Sequence, residues 1–392
     1  MTPPPRPAAV RAARRRDRRV YARSHPLLFA LLAATRRRPV TRIGGTLLVH
    51  GSDPYRHALT RIPLDRTAAG TTAGAARELS AGAVLFDQDG TGHRDTRRAV
   101  ADRLGAVGVE RLRPVWQEVL RRRLAPLAAG RAVDLVPVAR EAAGATVRAL
   151  LDAGADPLHI ADAAVRTAAA AVRDHLPGPR LPGTTHRAAE PAAQLHTLLA
   201  RGRTGTADRD RPQHPLTPGE AEETGLRAML AVAAVTTTVA ALPRAAAWCA
   251  DAALWDQAAD DRLRPALAQE LLRVIAPSPL LPRVAAADAD LGGCPVRAGD
   301  RLILVARHAA RAHSAPPNAL SPAPPAVAHL VFGAGAHTCP GARLARAQLE
   351  DLLAALAPHR PTVVRARADR TSALPAWRSL TVRATPPPGQ DR

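Results

Sequence analysis

The sequence predicts a mainly α-helical protein with small β-sheets, folded as a single large domain. Apolar residues recur at helical spacing along most of the 392 residues. Short β-like runs occur in only a few places, and no Pro/Gly/Ser-rich linker divides the chain. Apolar residues make up 46% of the composition, enough for a sizeable core, but aromatics only 2%, so Ala, Leu and Val must do the packing. The layout expected is a basic, disordered N-terminal arm over residues 1–24, a domain over 25–386 and a short tail over 387–392.

Taken in order, Pro26 to Arg36 reads as a short amphipathic helix. Pro39 to Ile43 and Thr46 to His50 flank Gly44-Gly45 as a hairpin. Ser52-Asp53-Pro54 opens a helix, with Ser or Asp as cap and Pro in the first turn. Residues 64–82 are loop-like, and a helix lies around His93 to Leu104. Helical patterns follow at 112–128, 136–153, 157–174 and 187–201, the break at Pro177 to Thr185 separating the last two. Residues 202–217 are polar and Pro-rich. Thr217 and Glu220 have capping-box spacing at the start of a long helix through Met229 to Val239, which Pro243 is expected to kink or end. Helices at 244–259 and 263–276 precede short strands between Pro282 and Val305, with turns at Gly292-Gly293 and Gly299. Residues 313–328 lack periodicity. A helical run from Ala342 to Leu356 and short strands complete the chain.

The net charge of +21 invites a nucleic-acid role. The chain contains no lysine, however, and its abundance of Ala, Arg, Pro and Gly points to a GC-rich coding sequence rather than phosphate recognition. Arginines are dense only from Arg11 to Arg23, where a solvated tail and contact with an acidic surface are the alternatives. Cys249, Cys294 and Cys339 form no metal or disulfide spacing, and their odd number suits a reducing, cytoplasmic compartment. Pro26 to Ala34 is too short to span a bilayer and has no cleavage site after it. Neither a nucleic-acid partner nor a membrane span is expected.

The run Phe332-Gly333-Ala334-Gly335-Ala336-His337-Thr338-Cys339-Pro340-Gly341 places a cysteine in a glycine-rich loop directly before a helix. Gly333 and Gly335 permit a tight turn and close approach to a flat ligand, and Gly341 leaves room at the helix start. Amides at a helix N-terminus favour a thiolate. A thiolate so held suits an axial ligand to haem iron.

The pattern F-G-x-G-x-H-x-C-x-G resembles the haem-binding loop of the cytochrome P450 superfamily at every fixed position, and the order of elements is similar over nearly the whole chain. The resemblance implies haem b as cofactor, with Cys339 as iron ligand and Phe332, Gly333, Gly335, Gly341 and His337 forming its cradle. Glu270 and Arg273 match the family's E-x-x-R pair, which braces this loop. The arginine usually supplied before the cysteine loop has no counterpart, since none occurs between Arg311 and Arg343. His93 and Arg97 match an H-x-x-x-R on the helix crossing the haem propionates, and Arg283 matches an arginine beside the haem.

Ala233-Ala234-Val235-Thr236-Thr237-Thr238 resembles the family's oxygen-activating stretch A-G-x-[DE]-T-[ST]. Thr237 takes the place of the central threonine, Thr236 that of the acid and Ala234 that of the glycine. The function implied is a haem-thiolate monooxygenase, with Thr237 and Thr236 in proton delivery to dioxygen. It would oxidise a small apolar molecule, in specialised metabolism, using electrons from a separate ferredoxin or flavodoxin-type donor. The missing acid and arginine motivate an alternative, a catalytically impaired auxiliary protein that stabilises a partner enzyme.

Overall fold

The structure, a computed structural model, describes residues 6–65, 68, 71, 98, 100–175, 189–200 and 218–385. α1 (Pro7–Ser24) and α2 (Pro26–Thr35) lead into the hairpin of β1 (Val40–Ile43) and β2 (Thr46–Val49), followed by α3 (Ser52–Thr60) and β3 (Leu64–Asp65). The helical body comprises α4 (Ala106–Leu124), α5 (Leu135–Leu151), α6 (Pro157–His175), α7 (Ala189–Ala200) and the long α8 (Pro218–Ala252), with β4 (Val133–Asp134) ahead of α5. Short α9 (Trp255–Ala259) and α10 (Arg264–Ile275) lead to β5 (Leu281–Ala285), β6 (Ala289–Asp290), β7 (Pro295–Val296) and β8 (Arg301–Leu304). α11 (Ala306–Ala309), α12 (Pro325–Ala328), α13 (Ala342–Leu356), β9 (Thr362–Ala368) and β10 (Trp377–Arg383) complete the described chain.

α5 sits at the centre of the body, packed against α4, α6 and α8. Asp134 caps it, accepting from the Val136 amide at 3.1 Å, and the same carboxylate oxygen accepts from Leu380 at 3.0 Å, which ties the helix start to β10. Alanine makes such close packing possible, and Gly144 carries it furthest: a Cβ there would lie 1.9 Å from the Pro157 carbonyl oxygen. Among the described residues, three sheets flank the helices. The largest runs β1-β2-β8-β5-β3, with β2 and β8 parallel and the remaining pairs antiparallel; the others are β4-β10-β9 and the β6-β7 ladder. The β1–β2 turn uses Gly44 at φ +56°, as the Gly-Gly signal implies.

The structure corrects the sequence reading at the N-terminal arm and narrows it at Pro243. The N-terminal arm is not a disordered tail over residues 7–24; it is α1, docked on α8. Ala13, Asp17, Val20, Tyr21 and Ser24 fall on one face and are buried, while the arginines occupy the others. Buried Asp17 accepts from Arg244 at 2.8 Å and from Arg307 at 3.1 Å. Arg244 also donates to the Tyr21 hydroxyl (2.6 Å) and to the carbonyls of Ile275 (2.9 Å) and Pro375 (3.2 Å). Both guanidinium groups lie over the Tyr21 ring, at 4.7 and 4.1 Å from its centroid.

Of the two outcomes expected at Pro243, a kink or an end, the end does not occur: the long helix continues through it to Ala252. Proline removes the amide that would bond Val239, but Val239 to Leu242 and Ala245 to Cys249 are all buried, and that packing outweighs one lost bond.

Candidate functional site: a cysteine loop and a core helix

The loop before α13 turns as its glycines permit. Gly333 has φ +82° and Gly335 φ +73°, both in the region that favours glycine. A Cβ on Gly335 would come within 3.1 Å of Thr60 Cγ2 and 3.3 Å of the Leu59 carbonyl, so α3 also demands glycine there. The Cys339 amide donates to the Phe332 carbonyl at 2.8 Å and closes the loop. His337 ends the 3₁₀ turn Gly335–His337 and is half-buried.

Gly341 is the N-cap of α13, and a Cβ on it would meet Cys339 Sγ at an ordinary 3.8 Å. The sulfur thus lies beside the first turn of a helix, where backbone amides stabilise negative charge. No disulfide involves any of the three cysteines; Cys249 is buried, its thiol pushed up by desolvation, whereas Cys339 is exposed. Arg346 lies over the Phe332 ring at 5.7 Å and donates to the Ala342 carbonyl at 3.2 Å, so it stiffens the loop from α13. Arg343 is exposed.

Glu270 and Arg273 form a doubly hydrogen-bonded pair at 2.8 and 2.7 Å, both side chains almost fully buried. The partners the sequence left unidentified are main-chain groups. Arg273 donates to the carbonyls of Arg311 (3.0 Å), Ala315 (3.3 Å) and Ala310 (3.4 Å), and Glu270 accepts from the Ala323 amide at 3.0 Å. A backbone N–H therefore bonds the carboxylate in a segment that contains no arginine. Gln257 adds to this hold, accepting from the Ala319 amide at 2.8 Å.

On α8, Leu226, Leu230, Ala233, Ala234 and Thr237 form a half-exposed stripe on an otherwise mostly buried stretch. Thr237 lies near the middle of the stripe; Thr236 is about 100° away round the helix. Both hydroxyls donate to their own helix, Thr237 to the Ala233 carbonyl at 2.8 Å and Thr236 to Val232 at 2.7 Å. The neighbouring Thr238 points inward and donates to Gln348 Oε1 at 3.2 Å; Gln348 Nε2 donates to Thr146 at 3.0 Å, and Thr146 to the Ala142 carbonyl at 2.7 Å. This buried chain links α8, α13 and α5. Sequence reasoning missed it because its members come from three distant segments, each with an unremarkable local pattern.

Arg283 lies on β5 opposite Leu302, donating to the Pro282 carbonyl at 2.8 Å, and its charge acts on the buried Tyr55, whose pKa desolvation raises. His93 and Arg97 lie outside the described residues, as do most of the loop at 64–82 and the break at 176–185.

Residues 262–357, which include the braced pair and the cysteine loop, match the family model "Cytochrome P450". Over most of the chain the fold superposes on solved structures of that family. CYP108D1 from Novosphingobium aromaticivorans matches with a TM-score of 0.70 at 23% identity, covering 98% of this chain and 100% of its own. P450 EryK, in complex with erythromycin B, matches with a TM-score of 0.72 at 23% identity, covering 94% and 98%.

The cytochrome P450 family is thus matched in sequence over residues 262–357 and in fold over most of the chain. In sequence, it is 41% identical over 108 residues to a vitamin D3 dihydroxylase of Streptomyces griseolus, covering 27% of each chain. It is 37% identical over 103 residues to the 20-oxo-5-O-mycaminosyltylactone 23-monooxygenase of Streptomyces fradiae, covering 26% of this chain and 24% of the relative. These alignments span about a quarter of the relatives' length.

Cytochromes P450 are haem-thiolate proteins. The donor set here suits that cofactor. An exposed thiol lies beside a helix N-terminus on a loop tight at Gly335, and α8 adds the half-exposed, uncharged surface of Leu230, Ala233, Ala234 and Thr237 that a flat macrocycle can cover.

Proposed function

We propose that this chain is a haem-thiolate monooxygenase that oxidises a small apolar molecule with dioxygen, using electrons from a separate ferredoxin or flavodoxin-type donor. The observation that carries the proposal is the pairing of two features: the exposed Cys339 thiol on its glycine loop, and the half-exposed stripe of α8 centred near Thr237. Haem, when bound, supplies the activation of dioxygen and the insertion of oxygen into an unactivated C–H bond.

Cys339 is the iron ligand. Phe332, Gly333, Gly335 and Gly341 shape its loop, and the Glu270–Arg273 brace fixes the segment leading to it. Arg283, His337, His93 and Arg97 are assigned to the propionates. The Thr237 hydroxyl donates to Ala233, which leaves its lone pairs to accept a hydrogen bond from water. Thr237 therefore orients the water that delivers the proton, with uncharged Thr236 passing protons by exchange rather than as a resident acid. Leu230, Ala233 and Ala234 offer the substrate an apolar wall without a charged group. The two Streptomyces relatives are named for actions on vitamin D3 and on 20-oxo-5-O-mycaminosyltylactone, which supports a specialised metabolite as substrate. The enzyme is placed in the cytoplasm, where a reduced donor is available.

Cys339→Ser decides the ligand. Wild type expressed with haem supplied should give the red-shifted Soret band of a CO-bound ferrous thiolate, and the variant should lose it. A haem-free wild type, or an unchanged variant spectrum, refutes the assignment. Haem-loaded protein that consumes no dioxygen with any supplied donor and apolar substrate refutes the monooxygenase proposal and leaves the auxiliary role.

A further inference from the structure

α2 is apolar on every side. Its inner face is accounted for: Leu32 is buried, and Leu28 and Phe29 pack with it against Leu48, Ile303 and Val305. Its outer face, Pro26, Leu27, Ala30, Leu31, Ala33 and Ala34, is exposed and carries no polar side chain. Leu27 is 85% and Leu31 43% exposed, and their i,i+4 spacing places them on one face. Thr35, the one polar side chain of the helix, is turned to the interior, where it donates to the Leu31 carbonyl at 2.9 Å and meets His50 Nε2 at 3.0 Å. A helix apolar all round is ordinarily enclosed by protein or lipid, and a contiguous apolar patch marks a contact surface where single exposed leucines do not.

The charges around this ridge have one sign. Arg36, Arg37 and Arg38 follow the helix, all exposed, and none has a carboxylate partner among the described residues. The preceding α1 exposes Arg11, Arg15, Arg18, Arg19 and Arg23, while its one acid, Asp17, is buried beneath Arg244 and Arg307. An apolar ridge ending in cationic guanidinium groups fits a surface that is apolar beneath and anionic above.

We infer that α2 docks this protein onto the surface of a bilayer containing anionic lipid. Leu27 and Leu31 enter the boundary between headgroups and acyl chains, and Arg36 to Arg38 engage lipid phosphates; the helix lies in the plane and does not span. A lipid surface is favoured over an acidic protein because the ridge has no side-chain hydrogen-bonding group to fix orientation. A typical protein interface carries about ten direct hydrogen bonds, whereas a fluid surface requires none.

The test is co-sedimentation of the full-length, haem-loaded chain with vesicles of phosphatidylcholine alone and of phosphatidylcholine with phosphatidylglycerol, at about 0.15 M salt, where screening leaves only close contacts. Wild type should sediment with the anionic vesicles and remain in solution with the neutral ones. The double variant Leu27→Glu/Leu31→Glu should lose at least tenfold in partitioning, with its haem spectrum and thermal midpoint unchanged, because both side chains are exposed. Replacing Arg36, Arg37 and Arg38 by serine should cost roughly a hundredfold, at about fivefold per arginine.

Wild type that stays in solution with both vesicle types overturns the inference. So does a leucine variant that binds like wild type, since attraction would then come from the overall charge of +21. A concentration-dependent dimer that the leucine variant abolishes, without vesicle binding, assigns the face to a second copy and overturns the lipid occupant. None of these measurements involves turnover, so they leave the monooxygenase proposal independent.

Discussion

Asp17→Asn tests whether the N-terminal helix is part of the folded domain. The substitution keeps the side-chain volume but removes the one carboxylate between two guanidinium groups, one of which, on Arg244, is fully buried. Asparagine can accept from one of them, and its amide then faces the other. Breaking a buried pair from one side costs about 3–5 kcal/mol, because the remaining charge stays desolvated. Unfolding entropy of about 2.1 cal/mol/K per residue over 392 residues is about 0.8 kcal/mol/K, so a loss of about 4 kcal/mol lowers the thermal midpoint by about 5 °C. Differential scanning calorimetry measures this directly. Limited trypsin digestion adds an independent readout: the arginines of α1 should be cut faster in the variant while the helical body stays intact. A midpoint within about 1 °C of wild type, with an unchanged cleavage pattern, would mean that α1 is not anchored through Asp17.

Three further outcomes are expected. His50 and His308 face each other through Nδ1 at 2.9 Å; Thr35 donates to Leu31, so His50 Nε2 carries a proton toward Thr35 and His308 donates to His50 Nδ1. Desolvation and then His313 hold His50 down at about 4; desolvation, then His50, His313, Arg307 and Arg36, hold His308 at about 3. The folded state thus binds fewer protons than the unfolded chain, so stability is full above about pH 6.5 and falls toward pH 4. Urea midpoints should track that loss, and His50→Gln should flatten it. Gly144→Ala forces a methyl group onto the Pro157 carbonyl, and chemical denaturation should show about 1–3 kcal/mol of destabilisation. Gln348→Leu strips Thr238 of its acceptor and should cost about 1–3 kcal/mol by the same assay, with the CO-bound spectrum retained.

Much of this architecture is legible in the sequence because it is written locally. The helices at 135–151, 157–175 and 264–275, the Gly44-Gly45 hairpin and the glycine loop at Cys339 each carry their signal within a few consecutive residues. What stays hidden depends on partners far away along the chain. Nothing near Asp17 shows that it pairs with Arg244 and Arg307, so a row of arginines reads as a solvated tail. Pro243 reads as a breaker because the packing on both sides of it comes from other helices. At the candidate site, the sequence singles out the cysteine, the Glu270–Arg273 pair and the central threonine as candidates, but not the Thr238–Gln348–Thr146 chain, nor that Thr236 lies about 100° round the helix from Thr237.

The hold of Glu270 and Arg273 on residues 310–323 has a consequence for how that stretch can change. Every hydrogen bond they make there is with a peptide group. The brace itself therefore places no demand on side-chain identity there, except that proline at 323 has no proton to donate; buried Ala310, Ala312 and Ala319 are constrained by packing instead. Adding or deleting a single residue displaces every later peptide group at once. The segment should therefore tolerate substitution at its exposed positions, such as Ser314, Ala315 and Ser321, while holding strictly to its length.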